Sequence, residues 1–515
     1  MLTRLTALRS VVLQTTAELR LREAAAAQTL PPHTLMQRAG RSLARLVQVR
    51  FPHARRIVVL AGPGNNGGDA LVAAARLPAA GRDVRVLAYG ADTLDDWSAR
   101  LPADAAWSLQ QLRQGPTPLH LLPPDTPLPA ADLYIDALLG IGLRGPVRPA
   151  IAAVIERLDH QPGTPVLSVD LPSGLDADTG VAPGPCVRAT VTLSLLGLKP
   201  GLCTGPAVSR CGEVWCDDLD LADADQNAAA PQWLGADQVR PLLPDLAHAA
   251  HKGQRGDVWV LGGAPGMVGA ALLAARAAAR LGAGRVFASL IDPAAPRVDS
   301  VAPELMLRAA DAPLHDLSTR SCVVAGPGGG LAQDFRSRLE QALSVPVPLV
   351  LDADALNLLA DASGAPLRNL LDQRTQPTVL TPHPLEAARL LGTTAQAVQA
   401  DRLQAARTLA QRHAAWVVLK GAGSVIASPQ QALWLNSSGN GLLATAGSGD
   451  TLAGSIAALI AATGDVRAVL AAVWLHGCAA SRYARQGAAS GLTAADLPTW
   501  MAQCWAECAG QSGDV

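Results

Sequence analysis

Lysine is nearly absent from this chain. Among 42 basic residues in 515, a scan of the sequence finds only Lys199, Lys252 and Lys420. Arginine serves wherever any positive charge suffices, so a retained lysine marks a place that needs a compact, rotatable ammonium. All three stand in glycine- or proline-bearing motifs, L-K-P-G-L, H-K-G-Q-R-G and L-K-G-A-G, and each is a candidate contact for phosphate or nucleotide. An excess of charge is also missing: 42 basic residues face 43 acidic ones, which argues against a polyanion-binding face and against nucleic acid as a partner. No apolar run reaches the roughly 20 residues that span a bilayer. The opening stretch, with Arg4 and Arg9, lacks a continuous apolar signal core, so a soluble cytoplasmic protein is expected, with no membrane partner. The eight cysteines make no disulfide framework. Neither Cys203, Cys211 and Cys216 nor Cys504 and Cys508 show paired C-x-x-C spacing with nearby histidines, so small apolar fillers with reduced thiols are expected.

The length exceeds one ordinary core, and two α/β patterns follow one another. Residues 11 to 50 read as helical from the spacing of Leu35, Met36, Ala39, Leu43 and Leu46. The strand Arg56 to Leu60, a glycine-rich turn, a helix from Ala70 to Leu77 and a strand at Val84 to Leu87 make one parallel β-α-β unit. Further strands are expected at Leu133 to Asp136, Val166 to Asp170 and Thr190 to Leu195, the alternation of a doubly wound sheet. Residues 221–234 read as a linker between domains at 1–220 and 235–515, being Ala-, Asp- and Asn-rich without apolar periodicity. Beyond it the pattern restarts. Strands are expected at Val258 to Leu261, Cys322 to Ala325, Leu349 to Leu351, Thr378 to Leu380 and Trp416 to Leu419. Helices are expected at Gly269 to Leu281, Asp450 to Ala462 and Arg467 to Gln486.

In the first half, Gly62, Gly64, Asn65, Asn66, Gly67, Gly68 and Asp69 form a turn suited to close approach of a ligand, at a helix N-terminus whose amides attract anions. A tight turn with no ligand would need the glycines alone. The asparagines and the aspartate add oxygens that such a turn does not require. Asp136 and Asp170 end two further strands, each followed by a glycine-bearing loop, and ligands bind at the carboxyl ends of the strands in a doubly wound sheet. Oxygens of Asn66, Asp136 and Ser173 are thus offered to a hard cation, while each aspartate taken singly also reads as a helix cap.

The ordered series L-M-Q-R-A-G-R, A-G-P-G-N-N-G-G-D, D-A-L-L-G-I-G-L-R-G-P, D-L-P-S-G-L-D and L-K-P-G-L, over about residues 11 to 220, resembles the NAD(P)H-hydrate epimerase family. The resemblance implies a Rossmann-like domain that interconverts the two C6 epimers of hydrated NADH or NADPH. It implies substrate contacts at Asn65, Asn66, Gly67, Gly68 and Asp69, at Gly140, Ile141, Gly142, Leu143, Arg144, Gly145 and Pro146, and at Asp170. It implies a potassium ion held by Asn66, Asp136 and Ser173. Ala70 departs from the usual glycine. Asp170 is the expected acid/base residue, since epimerisation at C6 needs proton movement. Lys199 reads either as a phosphate-orienting group or as a surface or loop charge.

In the second half, G-S-G-D at Gly447 to Asp450 opens an apolar helix. Free amides there form an anion hole, and a carboxylate beside it suits phosphoryl transfer to a hydroxyl. An ordinary N-cap is the rival reading. V-V-L-K-G-A-G-S ends a strand at Lys420 in a glycine turn, and T-P-H-P-L-E sets His383 in a proline-rigidified turn just past another strand. With H-K-G-Q-R-G, G-G-A-P-G-M-V-G-A, G-P-G-G-G and L-D-A-D-A-L-N-L-L, these motifs over about residues 235 to 505 resemble the ADP-dependent NAD(P)H-hydrate dehydratase family, which has a ribokinase-like fold. The resemblance implies that Ala270, Gly330, His383 and Asp450 contact the hydrated nucleotide. Lys420, Gly421, Ala422, Gly423, Ser424 and Gly449 would contact the adenine nucleotide. Gly329, Leu443 and Ala446 depart from the usual pattern. The implied reaction phosphorylates the C6 hydroxyl from ADP with Asp450 as base, then releases phosphate and AMP. Mg2+ is the expected companion of ADP, and a homo-oligomer, by resemblance a tetramer, is expected. A ribokinase-like vitamin-precursor kinase fused to a nucleotide-binding scaffold is the alternative.

Overall fold

The computed structural model describes residues 2–122, 126–143, 145–161, 163–221, 230–245, 248–249, 251–314, 317–487 and 489–510. The chain divides into two compact units. One comprises residues 1–5 and 12–230, the other residues 6–11 and 231–515.

The first unit is built on an eight-stranded sheet. Its order is Thr3–Arg4, Glu213–Asp217, Val191–Leu195, Val166–Val169, Leu133–Ala137, Arg56–Ala61, Asp83–Ala88, Leu119–Leu121. All neighbours are parallel except the first pair, where Thr3–Arg4 runs antiparallel to Glu213–Asp217. Alternate residues of one strand enter different apolar layers: Ile57, Val59 and Ala61 pack into one, Val58 and Leu60 into the other. Both faces are therefore covered, which is why these strands read as unbroken apolar runs rather than alternating ones. The chain leaves Arg56–Ala61 toward one edge and returns to Leu133–Ala137 on the other side. The crevice where strand order reverses lies between these two strands, at their carboxyl ends.

Several local expectations are corrected. The single helix expected over residues 11 to 50 is two, Thr16–Thr29 and Thr34–Arg50, because Pro31 and Pro32 interrupt it and His33 adopts a left-handed backbone. Thr15 and Glu18 close a capping box that starts the first. The helix expected from Ala70 begins at Asn65. The glycine-rich stretch is thus mostly the first turns of that helix rather than a loop before it. Strands at Leu119–Leu121 and Glu213–Asp217 add to those expected. Of the segment expected as linker, residues 222–229 lie outside the described residues, and Gln232–Leu234 is a strand.

The second unit holds an eleven-stranded sheet. It is parallel from Met306–Ala309 through Arg285–Leu290, Asp257–Gly262, Ser321–Ala325, Leu349–Leu351 and Thr378–Leu380 to Trp416–Leu419. Antiparallel Val425–Ala427 and Leu433–Asn436 follow, then Gln232–Leu234 and, at the edge, Val11–Val12. Strand order reverses between Asp257–Gly262 and Ser321–Ala325. Residues 6–11 fasten here: the Trp233 indole donates to the Thr6 carbonyl at 3.0 Å, and the Ser10 amide to Asp237 at 2.9 Å. Among the described residues no helix is long and apolar enough to cross a membrane.

The helices Val268–Arg280 and Ser448–Thr463 pack with backbone nearly touching backbone. A Cβ added at Gly454 would stand 1.9 Å from the Ala274 carbonyl oxygen. Gly454→Ala should therefore force the helices apart and cost about 1–3 kcal/mol, despite alanine's better helix propensity. Thermal unfolding checks this, and an unchanged midpoint would contradict the close packing.

Candidate functional site

The first crevice opens on a cavity of about 1090 Å³. Asn65, Asn66 and Asp69, from the start of the helix Asn65–Arg76, line one wall. Gly140, Ile141, Gly142, Leu143 and Pro146 line another, and Asp170 and Lys199 a third. Gly67, Gly68 and Gly145, expected as contacts, are not in the lining, and Arg144 lies outside the described residues. The glycines divide by cause. A Cβ at Gly62 would meet the Leu138 carbonyl oxygen at 2.0 Å, and one at Gly67 the Gly62 oxygen at 2.1 Å, so backbone packing demands both. At Gly64 a Cβ would meet nothing within 4 Å, and this residue lines the cavity.

Asp136 and Ser173 lie beneath the cavity, each wholly buried. The Asp136 carboxylate accepts from Ser173 Oγ at 2.6 Å, from the Ser173 amide at 2.9 Å and from Ser168 Oγ at 2.8 Å. Burial still pushes its pKa up against these bonds. Asn66 Nδ2 donates to the Leu139 carbonyl at 2.7 Å, tying the two crevice loops together. Its Oδ1 is buried with no hydrogen-bond partner among the described residues.

Asp170 sits just past the strand Val166–Val169 with φ of +67°, a left-handed backbone that aspartate adopts more readily than most non-glycine residues. Its Oδ1 accepts from the Lys199 ammonium and, at 3.1 Å, from the Leu195 amide. Lys199 is 1% exposed and also donates to Ser194 Oγ at 3.1 Å and to the Leu195 carbonyl at 2.8 Å. It is therefore no surface charge. Glu23 and His33 also line the cavity, from chain far upstream that carries no local motif.

In the second unit the candidate groups sit past the carboxyl ends of several strands. Gly447, with φ of +86°, caps the helix Ser448–Thr463, and Asp450 is in its first turn. A Cβ at Gly449 would lie 3.1 Å from Lys420 Nζ and 3.7 Å from Asp352 Oδ2. Lys420 Nζ donates to Asp352 Oδ1 at 2.7 Å. The structure thus brings the two motifs expected at the nucleotide, G-S-G-D and K-G-A-G-S, against each other. Asp352, the first aspartate of the L-D-A-D motif, joins them. Arg402, 1% exposed, donates to the carbonyls of Leu419 and Lys420 at 3.2 and 3.3 Å and shapes this turn from below. His476 Nε2 lies 3.0 Å from the Ser448 carbonyl, and burial lowers its pKa to about 4, so the ring is neutral and donates. Neither Arg402 nor His476 carried a local signal.

His383 caps the helix Pro384–Leu391, which corrects its assignment to a simple turn. Its Nδ1 accepts from the Leu385 and Glu386 amides at 3.1 and 3.3 Å, while Glu386 Oε2 accepts from the His383 amide at 2.8 Å. Gly330, with φ of +73°, donates its amide to Asp354 at 2.9 Å. Ala270 is in the first turn of the helix Val268–Arg280.

A family model described as NAD(P)H-hydrate dehydratase matches residues 258–501, and one described as YjeF-related protein N-terminus matches residues 32–201. The bifunctional NAD(P)H-hydrate repair enzyme Nnr of Coxiella burnetii is 38% identical over 475 residues, 90% of this chain and 93% of that protein. Its counterpart from Escherichia coli is 36% identical over 484 residues, 92% of this chain and 90% of that protein. The chain belongs to the bifunctional NAD(P)H-hydrate repair enzyme family. Among solved structures, an ADP/ATP-dependent NAD(P)H-hydrate dehydratase from Bacillus subtilis, co-crystallised with ATP and Mg2+, is 32% identical. It covers 54% of this chain and 98% of that one, with a TM-score of 0.49. Relatives that match both halves disfavour a kinase fused to an inert scaffold. Two of the departures from the repair-enzyme pattern fall at packed positions. Ala70 is fully buried, and the Phe335 ring occupies the space beside Gly329, where a Cβ would approach it to 2.6 Å.

Burial and the neighbouring Asp352 push the Asp450 carboxyl up to about 7, and burial pushes Glu386 to about 7. In the unfolded chain both titrate in the ordinary carboxylate range. Between there and pH ~7 the folded state holds more protons, so stability falls as pH rises through that window. Asp450→Asn removes one of these costs. Its melting temperature should exceed that of the unaltered chain at pH ~8, with the gap narrowing toward pH ~4. Calorimetry across this range checks it, and a lower melting temperature at pH ~8 would contradict the assigned burial cost.

Proposed function

We propose that the first unit interconverts the C6 epimers of hydrated NADH and NADPH and that the second dehydrates the S epimer at the expense of ADP. The observation that carries the second assignment is Asp450, a carboxyl with a pKa near neutrality beside Lys420 at the opening of a helix. Such a group is ionised often enough to accept a proton and basic enough to take it from a hydroxyl. Hydroxide is a poor leaving group, so the C6 hydroxyl is first phosphorylated. Asp450 takes its proton as the phosphoryl group arrives. Lys420 and the free amides of the helix Ser448–Thr463 stabilise the transferred oxygens. Phosphate then departs, driven by the ring nitrogen, which leaves an iminium at C6; loss of a proton from C5 restores the dihydropyridine, and AMP is the co-product. Mg2+ needs no dedicated cage beside a nucleotide, since it is commonly held by phosphates, water and one or two carboxylates. Asp352 is the carboxylate suited to that role, and the ion would neutralise phosphate charge.

For the first unit, Asp170 is the acid/base residue, supported by its cavity exposure and its pairing with Lys199. The residues present fit a potassium ion: Asn66 Oδ1 is a buried oxygen with no donor, next to the loop held by Asp136 and Ser173. Bound there, the cation would offset the buried Asp136 charge and stiffen both crevice loops.

Asp450→Asn keeps size and capping ability but accepts no proton. Dehydration should fall on the order of 10²–10⁴-fold, measured as single-turnover phosphate release. Near-normal release in a folded variant would overturn the base assignment. Asp136→Ala should weaken epimerisation and its dependence on potassium while dehydration continues. Equal loss of both activities in a folded protein would count against the potassium assignment.

A further inference from the structure

The epimerisation cavity holds two aspartates in opposite circumstances. Asp170 Oδ1 is saturated by the Lys199 ammonium and the Leu195 amide, while Oδ2 has no hydrogen-bond partner among the described residues. A carboxylate held this way is an acceptor. Asp69 lines the same cavity from the second turn of the helix Asn65–Arg76, and its carboxyl makes no hydrogen bond among the described residues. Resting on the epimerase reading above, we propose that Asp69 is the general acid of the epimerisation, paired with Asp170 as its base.

The chemistry needs two such groups. The hydrate is a hemiaminal, with the C6 hydroxyl and the ring nitrogen N1 on one carbon. Asp170 takes the hydroxyl proton, the C6–N1 bond breaks, and the bond pair goes to N1 as the C6 aldehyde forms. Asp69 delivers a proton to N1. Rotation about C5–C6 presents the other aldehyde face. In the return step Asp69 recovers its proton as N1 attacks C6, and Asp170 returns the first proton to the new hydroxyl. Atoms and charge balance, and no co-reactant is consumed. One carboxyl alone would have to carry both protons between the hydroxyl and N1. Two carboxyls, one bonded to an ammonium and the other without a hydrogen-bond donor among the described residues, divide the task.

The electrostatics agree. Burial, then Asp170, Glu23 and Asp104, hold the Asp69 carboxyl well above the usual carboxylate range, opposed only by Lys199. These groups face it from the helix Thr16–Thr29, from the helix Ala103–Arg113 and from the turns past two strands. Arg20 lines the same cavity, and His33 bonds Asp104 at 2.6 Å. An acid must be protonated to act, so epimerisation should fall as pH rises through the elevated pKa of Asp69.

The full chain carries its own control. Supplied with ADP and purified S hydrate, it reports dehydration alone; supplied with R hydrate, it reports epimerisation above the uncatalysed background. Asp69→Asn should repair the S hydrate at the unaltered rate and lose at least 10²-fold in kcat on the R hydrate, with KM within about threefold. Its residual rate should lack the alkaline fall of the unaltered enzyme, and Asp69→Glu should restore both rate and fall. An Asp69→Asn variant as fast on the R hydrate as the unaltered chain, or one retaining the same alkaline fall, would overturn the proposal. Should Asp69→Asn not fold, the Asp69→Glu variant and the unaltered pH profile decide: no alkaline fall in either overturns it. If the unaltered chain itself fails to use the R hydrate faster than background, the epimerase reading fails first.

Discussion

In the strand Arg56–Ala61, the side chains from Ile57 to Ala61 enter opposite apolar layers in turn, so polar chemistry is confined to the strand's ends. Leu133–Ala137 is likewise buried throughout, with its one carboxylate, Asp136, at the carboxyl end, and in the second unit Ser321–Ala325 and Leu349–Leu351 are buried along their whole length. Strands buried on both faces leave only their ends free. Where strand order reverses, two adjacent ends diverge and no crossing connection covers the gap. Asn65, Asn66, Gly140 and Asp170 gather in that gap in one unit; Lys420, Asp352 and Asp450 lie past strand ends in the other. Each site is a consequence of the burial of the strands that carry it.

Charge placed at such ends is costly, and both units handle it through a single lysine. Lys199 is buried and neutralises Asp170; Lys420 binds Asp352 and stands against the amide end of the helix Ser448–Thr463. A lysine can present its charge at the end of an apolar stem in a space that a guanidinium fork would overfill. The remaining carboxyls, Asp69 and Asp450, are not neutralised this way and sit with raised pKa values. Groups strained in this sense destabilise the fold where function uses them, and the apolar layers beneath supply the compensation.

Much of the site was legible. Lysine scarcity pointed to Lys199, Lys252 and Lys420, of which Lys252 is exposed and the other two sit in the candidate sites, and glycine-bearing motifs after apolar runs pointed to the strand ends. What was misread has a common cause. Gly62, Gly67 and Gly68 look alike in sequence to Gly64, yet the first three are required by backbone and side-chain packing, and only Gly64 lines the cavity with open space where a Cβ would stand. His383 looked like part of a rigid turn and is a helix cap, because its ring accepts amides two and three residues ahead. Arg402, His476, Glu23 and His33 carried no local signal at all.

By itself the sequence determined the central strands of both sheets in chain order, the helices that follow the main motifs, and that the chain carries two α/β units with family-specific motifs. Those properties follow from local rules: apolar runs, glycine and proline punctuation, and short motifs read within one turn or strand. Only the tertiary structure decided that Lys199 meets Asp170, that Lys420 meets Asp352 beside Gly449, that residues 6–11 belong with the second unit, and that Asn66 keeps one buried oxygen without a donor. Each of these joins segments separated by many residues. Partner choice and desolvation at that range depend on how strands are ordered in the sheet, a property no local window of sequence contains.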